Sequence, residues 1–436
     1  MSATNGKSIT LSSKLQDIDF GTKASVPGWL RQLRCEGRER FNQMGIPSVK
    51  DEEWKYTNVT PLAERQFHFP MEFALKEKAL LKHYLNPQET NIVLVNGVYS
   101  EEFSNVKNLV KGLTVTNLTV QADNAQLKKL INLFPSTYPD VFAALNNALL
   151  QEGIFIQIDD ATVVQKVIHV VHVANPTNHD TIIVPRTLIS IGKSAQVDIL
   201  ESHVGFSSGA YFANALTDIL IKENAAAHYC KAQAESKGAY HIGSTRIWQK
   251  RDSNLETFSL TVGGTLTRNN LNIILEEPGT TTFLHGLYTM KEEQHVDNHT
   301  CVEHRAPNCT SNQLYKGILD QHSRAVFNGK IIVSREAQQT NSYQLNKNLM
   351  LGSDCRIDTK PQLEIFADDV KCTHGATIGQ LNEDEIFYLK SRNIPQDLAV
   401  RILARGFVDD ILNRLPNQSI CEKLNQLLSS AIDVLK

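Results

Sequence analysis

Residues 153–277 carry the runs IFIQI (154–158), VIHVVHV (167–173), TLISI (187–191), AQVDIL (195–200), LTDILI (216–221) and LNIILEE (271–277). Each is short, rich in β-branched residues and alternating with period 2, and almost no helical pattern separates one from the next. An all-β segment is therefore predicted to begin near Gly153 and to exceed two hundred residues. Its turn clusters recur near Ser194, Asn224, Ser253, Gly279 and Asn308, at spacings of 30, 29, 26 and 29 residues, and less regularly near Ser323 and Asp354. That period suits a stacked solenoid in which each coil buries its apolar face against the next. A two-sheet sandwich is the competing architecture, but its turns fall every ~8–12 residues and it seldom extends so far as one unit. The pattern predicts a parallel β-helix over residues 153–379.

Both flanks change character. Residues 1–152 are predicted to form a helix-rich N-terminal domain. Within residues 25–65, Trp29, Leu30, Leu33 and Phe41 share one apolar helix face, and Gly45 and Pro47 stop the helix. Residues 72–86 and 124–151 repeat the helical pattern, with strand-like runs at 91–95 and 113–120 between them. Trp54 and Tyr56 place two large rings in the charged run IPSVKDEEWKYTNVTPL (46–62), which reads as a docking turn with Lys55 at the surface. Residues 380–436 return to helix. Asn382 with Glu385 makes a capping-box-like start, Pro395 opens a second helix that Pro416 ends, and a third carries Ile420, Leu424, Leu427, Leu428, Ile432 and Leu435. These helices either cover the solenoid or offer an apolar surface to a partner.

Forty-four lysines and arginines against 47 acidic residues give a net charge of −3, which argues against nucleic-acid binding over the whole surface. No run approaches the ~18 apolar residues of a membrane span. The start, MSATNGKSITLSSK, is polar and lacks the apolar core of a secretory signal, so a cytoplasmic or equivalent reducing setting is expected. The seven cysteines (Cys35, Cys230, Cys301, Cys309, Cys355, Cys372, Cys421) are scattered and form no CxxC pair, which disfavours a disulfide framework or a zinc ribbon. No GxxxxGK[ST] occurs, and the glycines of VGGT (262–265) lack a phosphate-loop lysine, so no ATP site of that kind is expected in this chain.

Two stretches carry metal-ligand chemistry. In KPQLEIFADDVKCTHGATIG (360–379) a strand pattern runs into Cys372 and His374. Two residues apart on a strand, their side chains share a face with Cα atoms roughly 7 Å apart. A thiolate and an imidazole suit iron, zinc or an iron–sulfur cluster. The spacing alone equally fits a buried cysteine packed as a small hydrophobe beside a hydrogen-bonded histidine. In QHVDNHTCVEH (294–304), His295, Asp297, His299 and Cys301 fall on one face with His304 beyond, but Asn298 and Thr300 make the other face polar too, which reads as a solvated edge.

From Ser311 to Leu415 the chain resembles the SufD family of the SUF iron–sulfur assembly system. The resemblance rests on the coil glycines Gly317 and Gly329, the AQ-T run at 337–340, the KPQLEI strand and the KCTHGAT turn, all in order, and on the WKYT mark at Trp54 to Thr57. Asn346 stands where the sister family SufB carries a cysteine. Asn341 and Ser342 replace a common Asp-Ala pair, and Lys50 a common arginine. The resemblance implies a right-handed parallel β-helix flanked by helical N- and C-terminal parts. It further implies a non-catalytic scaffold that pairs with SufB through the β-helix and docks the SufC ATPase through its C-terminal helices. Cys372 and His374 would then be metal ligands to a transient cluster, or iron, shared with the partner. The alternatives are a carbohydrate-active β-helix enzyme, a class that is mostly secreted, and a hexapeptide-repeat acyltransferase, whose six-residue period is not visible here.

Overall fold

The turn residues set the coil. In the computed structural model, described over residues 8–18, 27–70, 73, 75, 81–119, 127, 130, 131, 133, 140–176, 180–206 and 209–432, positive φ angles recur at Ser194, Asn224, Asp252, Gly279, Asn308 and Gln339. Each of these amides donates to the equivalent turn one coil further on: Ser194 to Glu223, Asn224 to Arg251, Asp252 to Pro278, Gly279 to Pro307, Asn308 to Gln338 and Gln339 to Asp369. Asn and Asp tolerate this left-handed backbone better than most side chains, and Gly279, at φ +79°, meets no Cβ penalty there. The periodic clusters of the sequence are this one column. Ser323 and Asp354 broke the period because they lie on the opposite edge of the coil, where Gln321 makes the left-handed turn.

The N-terminal part supplies β1 (Ser8–Thr10), β2 (Gln66–His68), β3 (Thr90–Val95), β4 (Val98–Tyr99) and β5 (Leu113–Asn117). The first coils follow with β6 (Ile154–Ile158), β7 (Val163–Ala174), β8 (Thr181–Ile183), β9 (Arg186–Ile191), β10 (Gln196–Gly205), β11 (Tyr211–Ile221), β12 (Ala226–Ala234) and β13 (Ala239–Gln249). The middle coils are β14 (Asn254–Thr261), β15 (Leu266–Leu275), β16 (Thr281–Met290), β17 (His295–His304) and β18 (Thr310–Leu319). The last are β19 (Arg324–Val333), β20 (Thr340–Met350), β21 (Arg356–Ile365) and β22 (Val370–Gly379).

From β10 onward the strands alternate between two stacked sheets. One runs β11-β13-β15-β17-β19-β21 and the other β22-β20-β18-β16-β14-β12-β10-β7-β3. Every one of these pairs is parallel and in continuous register except for one shift between β7 and β10. A parallel β-solenoid of about seven turns results. The sandwich alternative had the layering right and the connectivity wrong, since the parallel neighbours are successive coils. Inward columns of Ile, Leu and Val, among them Val197, Ile199, Ile219, Ile247, Ile273 and Leu284, form the central core together with Phe327.

α1 (Gly28–Met44) ends where Gly45, at φ +66°, returns its amide to the Phe41 carbonyl. It packs on α2 (Val141–Leu149), capped by the Asp140 carboxylate. Strands at 90–95 and 113–117 match the sequence reading, whereas residues 72, 74 and 76–80 of the helical pattern at 72–86, and most of 124–139, lie outside the described residues. At the other end, α3 (Glu383–Ser391) starts on the Asn382 side chain, α4 (Gln396–Leu412) follows Pro395, and α5 (Gln418–Ile432) is the last described element. The described helices do not cover the solenoid's end. Val408, Ile411 and Leu412 of α4 and Ile420, Leu424, Leu428 and Ile432 of α5 pack instead on the broad outer face of the second sheet, against Leu200, Phe258, Leu287, Leu314 and Leu349.

Candidate functional site: the open end of the solenoid

No strand or helix among the described residues covers the last coil. Among the described residues β21 pairs only with β19 and β22 only with β20. Each ten-residue strand therefore leaves one edge of backbone donors and acceptors without a partner strand. Phe366 and Ile378 are 63% and 50% exposed there.

Cys372 and His374 lie on this last strand and share its inward face. Cys372 continues the column Thr282, Ser311, Ser342, and His374 continues Leu284, Gln313, Gln344. Ser342 and Gln344 are fully buried because β22 covers them; His374 is exposed because no described strand covers β22. The two side chains differ in surroundings. Cys372 packs with Ile331, Val333, Ala337, Leu363 and Val370, and burial pushes its thiol above the ordinary range. A ligand must be the thiolate, so this sulfur binds only when a metal or cluster displaces its proton. Among the described residues no third His, Cys, Asp or Glu comes close enough to complete a ligand set with this pair.

The second sequence candidate resolves differently. His295, Asp297, His299 and Cys301 do not form a solvated edge: the WKYT segment docks on this outer face of β17 and buries Asp297, while Asn298 and Thr300 point into the solenoid and are buried there. Thr57 Oγ1 donates to Asp297 Oδ2 at 2.5 Å and lies 2.9 Å from His295 Nε2. Arg268 Nη1 donates to Asp297 Oδ2 at 2.7 Å, and His299 bridges Asp297 at 2.9 Å and Glu53 at 3.3 Å. Burial works to raise the Asp297 pKa, but the Arg268 and His299 charges and the Thr57 hydrogen bond hold its carboxyl well below the usual range. The Glu53 carboxyl sits at about 2, held there by its His299 hydrogen bond against burial, with Lys330 assisting. These ligand-type atoms are committed to a docking network. Cys301 and Lys330 line a groove of about 570 Å³ between this network and Met44–Pro47.

The solenoid interior holds a cluster that the sequence reading passed over. His172 of β7 and Glu201 and His203 of β10 face inward, and one ligand atom from each lies within 4.8 Å of the others. The available signal was polar residues at inward positions of otherwise apolar strands, as in the continuation of Val197 and Ile199 into Glu201 and His203.

A flattened parallel solenoid, open at one end and flanked by helices, defines the protein class. The SufBD core-domain model of the SUF iron–sulfur cluster assembly system matches residues 172–407, and the SufBD N-terminal-region model matches residues 19–170. The chain is 33% identical to an iron–sulfur cluster assembly SufBD family protein of Synechocystis over 95% of its length and 93% of that protein. It is 28% identical to the chloroplastic protein ABCI7 of Arabidopsis thaliana (94% and 88% covered) and 27% identical to the SufD iron–sulfur assembly protein of Escherichia coli (91% and 94%). The chain belongs to the SufBD family of the SUF iron–sulfur cluster assembly system.

Proposed function

We propose that this chain is a non-catalytic SufD-type scaffold that pairs with a SufB-type β-helix through the open end of its solenoid and carries a SufC-type ATPase on its C-terminal helices. Cys372 and His374 then supply ligands to a nascent iron–sulfur cluster, which is the cargo of the complex and is shared across the interface. The observation that carries this reading is the uncovered last coil, with two unpaired edges beside the exposed His374. A solenoid end needs a cover, and a second β-helix can extend both sheets while supplying the ligands that two side chains cannot. The missing phosphate loop fits an ATPase that is a separate subunit. Among the described residues no helix is long and apolar enough to cross a membrane, and we place the complex in the cytoplasm or an equivalent compartment. Family membership replaces the carbohydrate-active and acyltransferase alternatives.

Co-expression with the SufB-type and SufC-type proteins of the same genome tests the assembly. The expected product is a stable complex of all three. Elution of this chain alone, or as a dimer of itself, in the presence of both overturns the reading.

A further inference from the structure

We propose that the solenoid interior holds a site for a divalent transition-metal ion, formed by His172, Glu201 and His203. It is separate from the open end and does not depend on the proposed cluster site. β7 and β10 set His172 directly beside His203 on neighbouring coils. Their rings stack with centroids 4.6 Å apart and planes 17° from parallel, and His172 Nε2 lies 2.7 Å from Glu201 Oε1. All three side chains are buried.

Two observations point to a ligand. First, His203 Nε2 is buried without a hydrogen-bond partner among the described residues, which is costly for a polar atom. Second, the carboxylate is already oriented. Thr187, Thr217 and Tyr229 all donate to Glu201, as the outer partners of a metal ligand do.

Two imidazoles and one carboxylate suit Zn²⁺, Fe²⁺ or Co²⁺ rather than the oxygen-only preference of Ca²⁺ or Mg²⁺. The ion takes the place of the proton between His172 Nε2 and Glu201. That proton moves to His172 Nδ1, and water fills the remaining positions.

The test uses the full-length chain, stripped with a chelator, in a Cys372→Ser/His374→Ala background that removes the open-end ligands. Addition of Co²⁺ is expected to give one bound ion per chain with visible ligand-field absorption. His203→Gln is expected to weaken binding at least tenfold with the melting temperature of the metal-free protein unchanged. Zinc-edge X-ray absorption of the same background loaded with Zn²⁺ is expected to show two imidazoles, and it decides the matter alone if His203→Gln fails to fold. Absence of stoichiometric Co²⁺ binding, unchanged affinity in a folded His203→Gln protein, or a zinc spectrum without imidazole scattering overturns the site.

Discussion

The Arg268 guanidinium lies 3.7 Å from the centre of the Trp54 ring, and the same arginine donates to the Glu53 carbonyl at 2.8 Å and to Asp297 at 2.7 Å. One side chain thus joins a cation–π contact to two charge-assisted hydrogen bonds. On its other side the indole packs against Phe142 of α2, with ring centroids 5.3 Å apart. Trp54 is therefore the pin between α2, the WKYT segment and the outer face of the first sheet.

Trp54→Ala should destabilise the protein by about 3–5 kcal/mol, the usual cost of removing a buried tryptophan. The expected readout is a lowered melting temperature with faster proteolysis near residues 46–62. A Trp54→Ala protein of unchanged stability that fails in cluster assembly would instead assign Trp54 a direct contact with a partner.

Acid should loosen α5. Glu89 accepts from Ser419 at 2.8 Å and pairs with Lys423, both on α5. Burial opposes its ionisation, but hydrogen bonds from His169 and Lys423 hold it at about 2. A folded pKa below the unfolded value of ~4.3 means that this stabilisation is complete above ~4.3 and fades as pH falls toward 2. Glu89→Gln should therefore cost about 1–3 kcal/mol at neutral pH, and its melting temperature should converge on the wild-type curve in acid. Curves that stay parallel from pH 7 to about 2.5 would show that Glu89 does not carry the effect.

The ATPase surface is expected on α3 and the first half of α4. No residue of α3 is buried, and Phe387, Tyr388, Leu398 and Ile402 are exposed, whereas the second half of α4 is spent on the solenoid. Phe387→Glu with Ile402→Asp should weaken capture of a SufC-type protein at least tenfold and leave the melting temperature within about a degree, since neither site is packed in the free chain. Undiminished capture would move the docking surface elsewhere.

The coil was legible because its turn chemistry is local. Ser194, Asn224 and Asn308 announce left-handed turns by residue type, and Val197, Ile199 and Ile219 alternate as strands must. What stayed hidden depended on residues far apart in sequence. β17 looked like a solvated edge because both its faces are polar, and nothing in residues 294–304 hints that Thr57, about 240 positions earlier, is bonded to Asp297 on the outer face or that Asn298 and Thr300 are buried on the inner one. The C-terminal stripes showed that helices pack, yet only the apolar outer columns of Leu200, Phe258 and Leu314 decide that they lie on a sheet face and leave the end open. His172, Glu201 and His203 were missed because a polar residue at an inward position registers as noise until the coil places three of them together.

Cys372 and His374 share the inward face of an edge strand, as their two-residue spacing required, but they are not equivalent. His374 is exposed at the mouth, so its imidazole is available to a partner-borne cluster. Cys372 is half-buried among Ile331, Val333 and Leu363 with its thiol pushed up, so it must lose a proton and turn out of an apolar contact before it can bind. His374→Ala should therefore cause the larger loss of iron and sulfide when the assembled complex is reconstituted anaerobically. Cys372→Ala should lose less, and the double variant no less than His374→Ala alone. Assembly must be intact in all three, which gel filtration checks, because neither side chain supplies the backbone edge proposed to pair the subunits. Wild-type iron and sulfide in all three intact complexes would make the pair structural and place the cluster elsewhere.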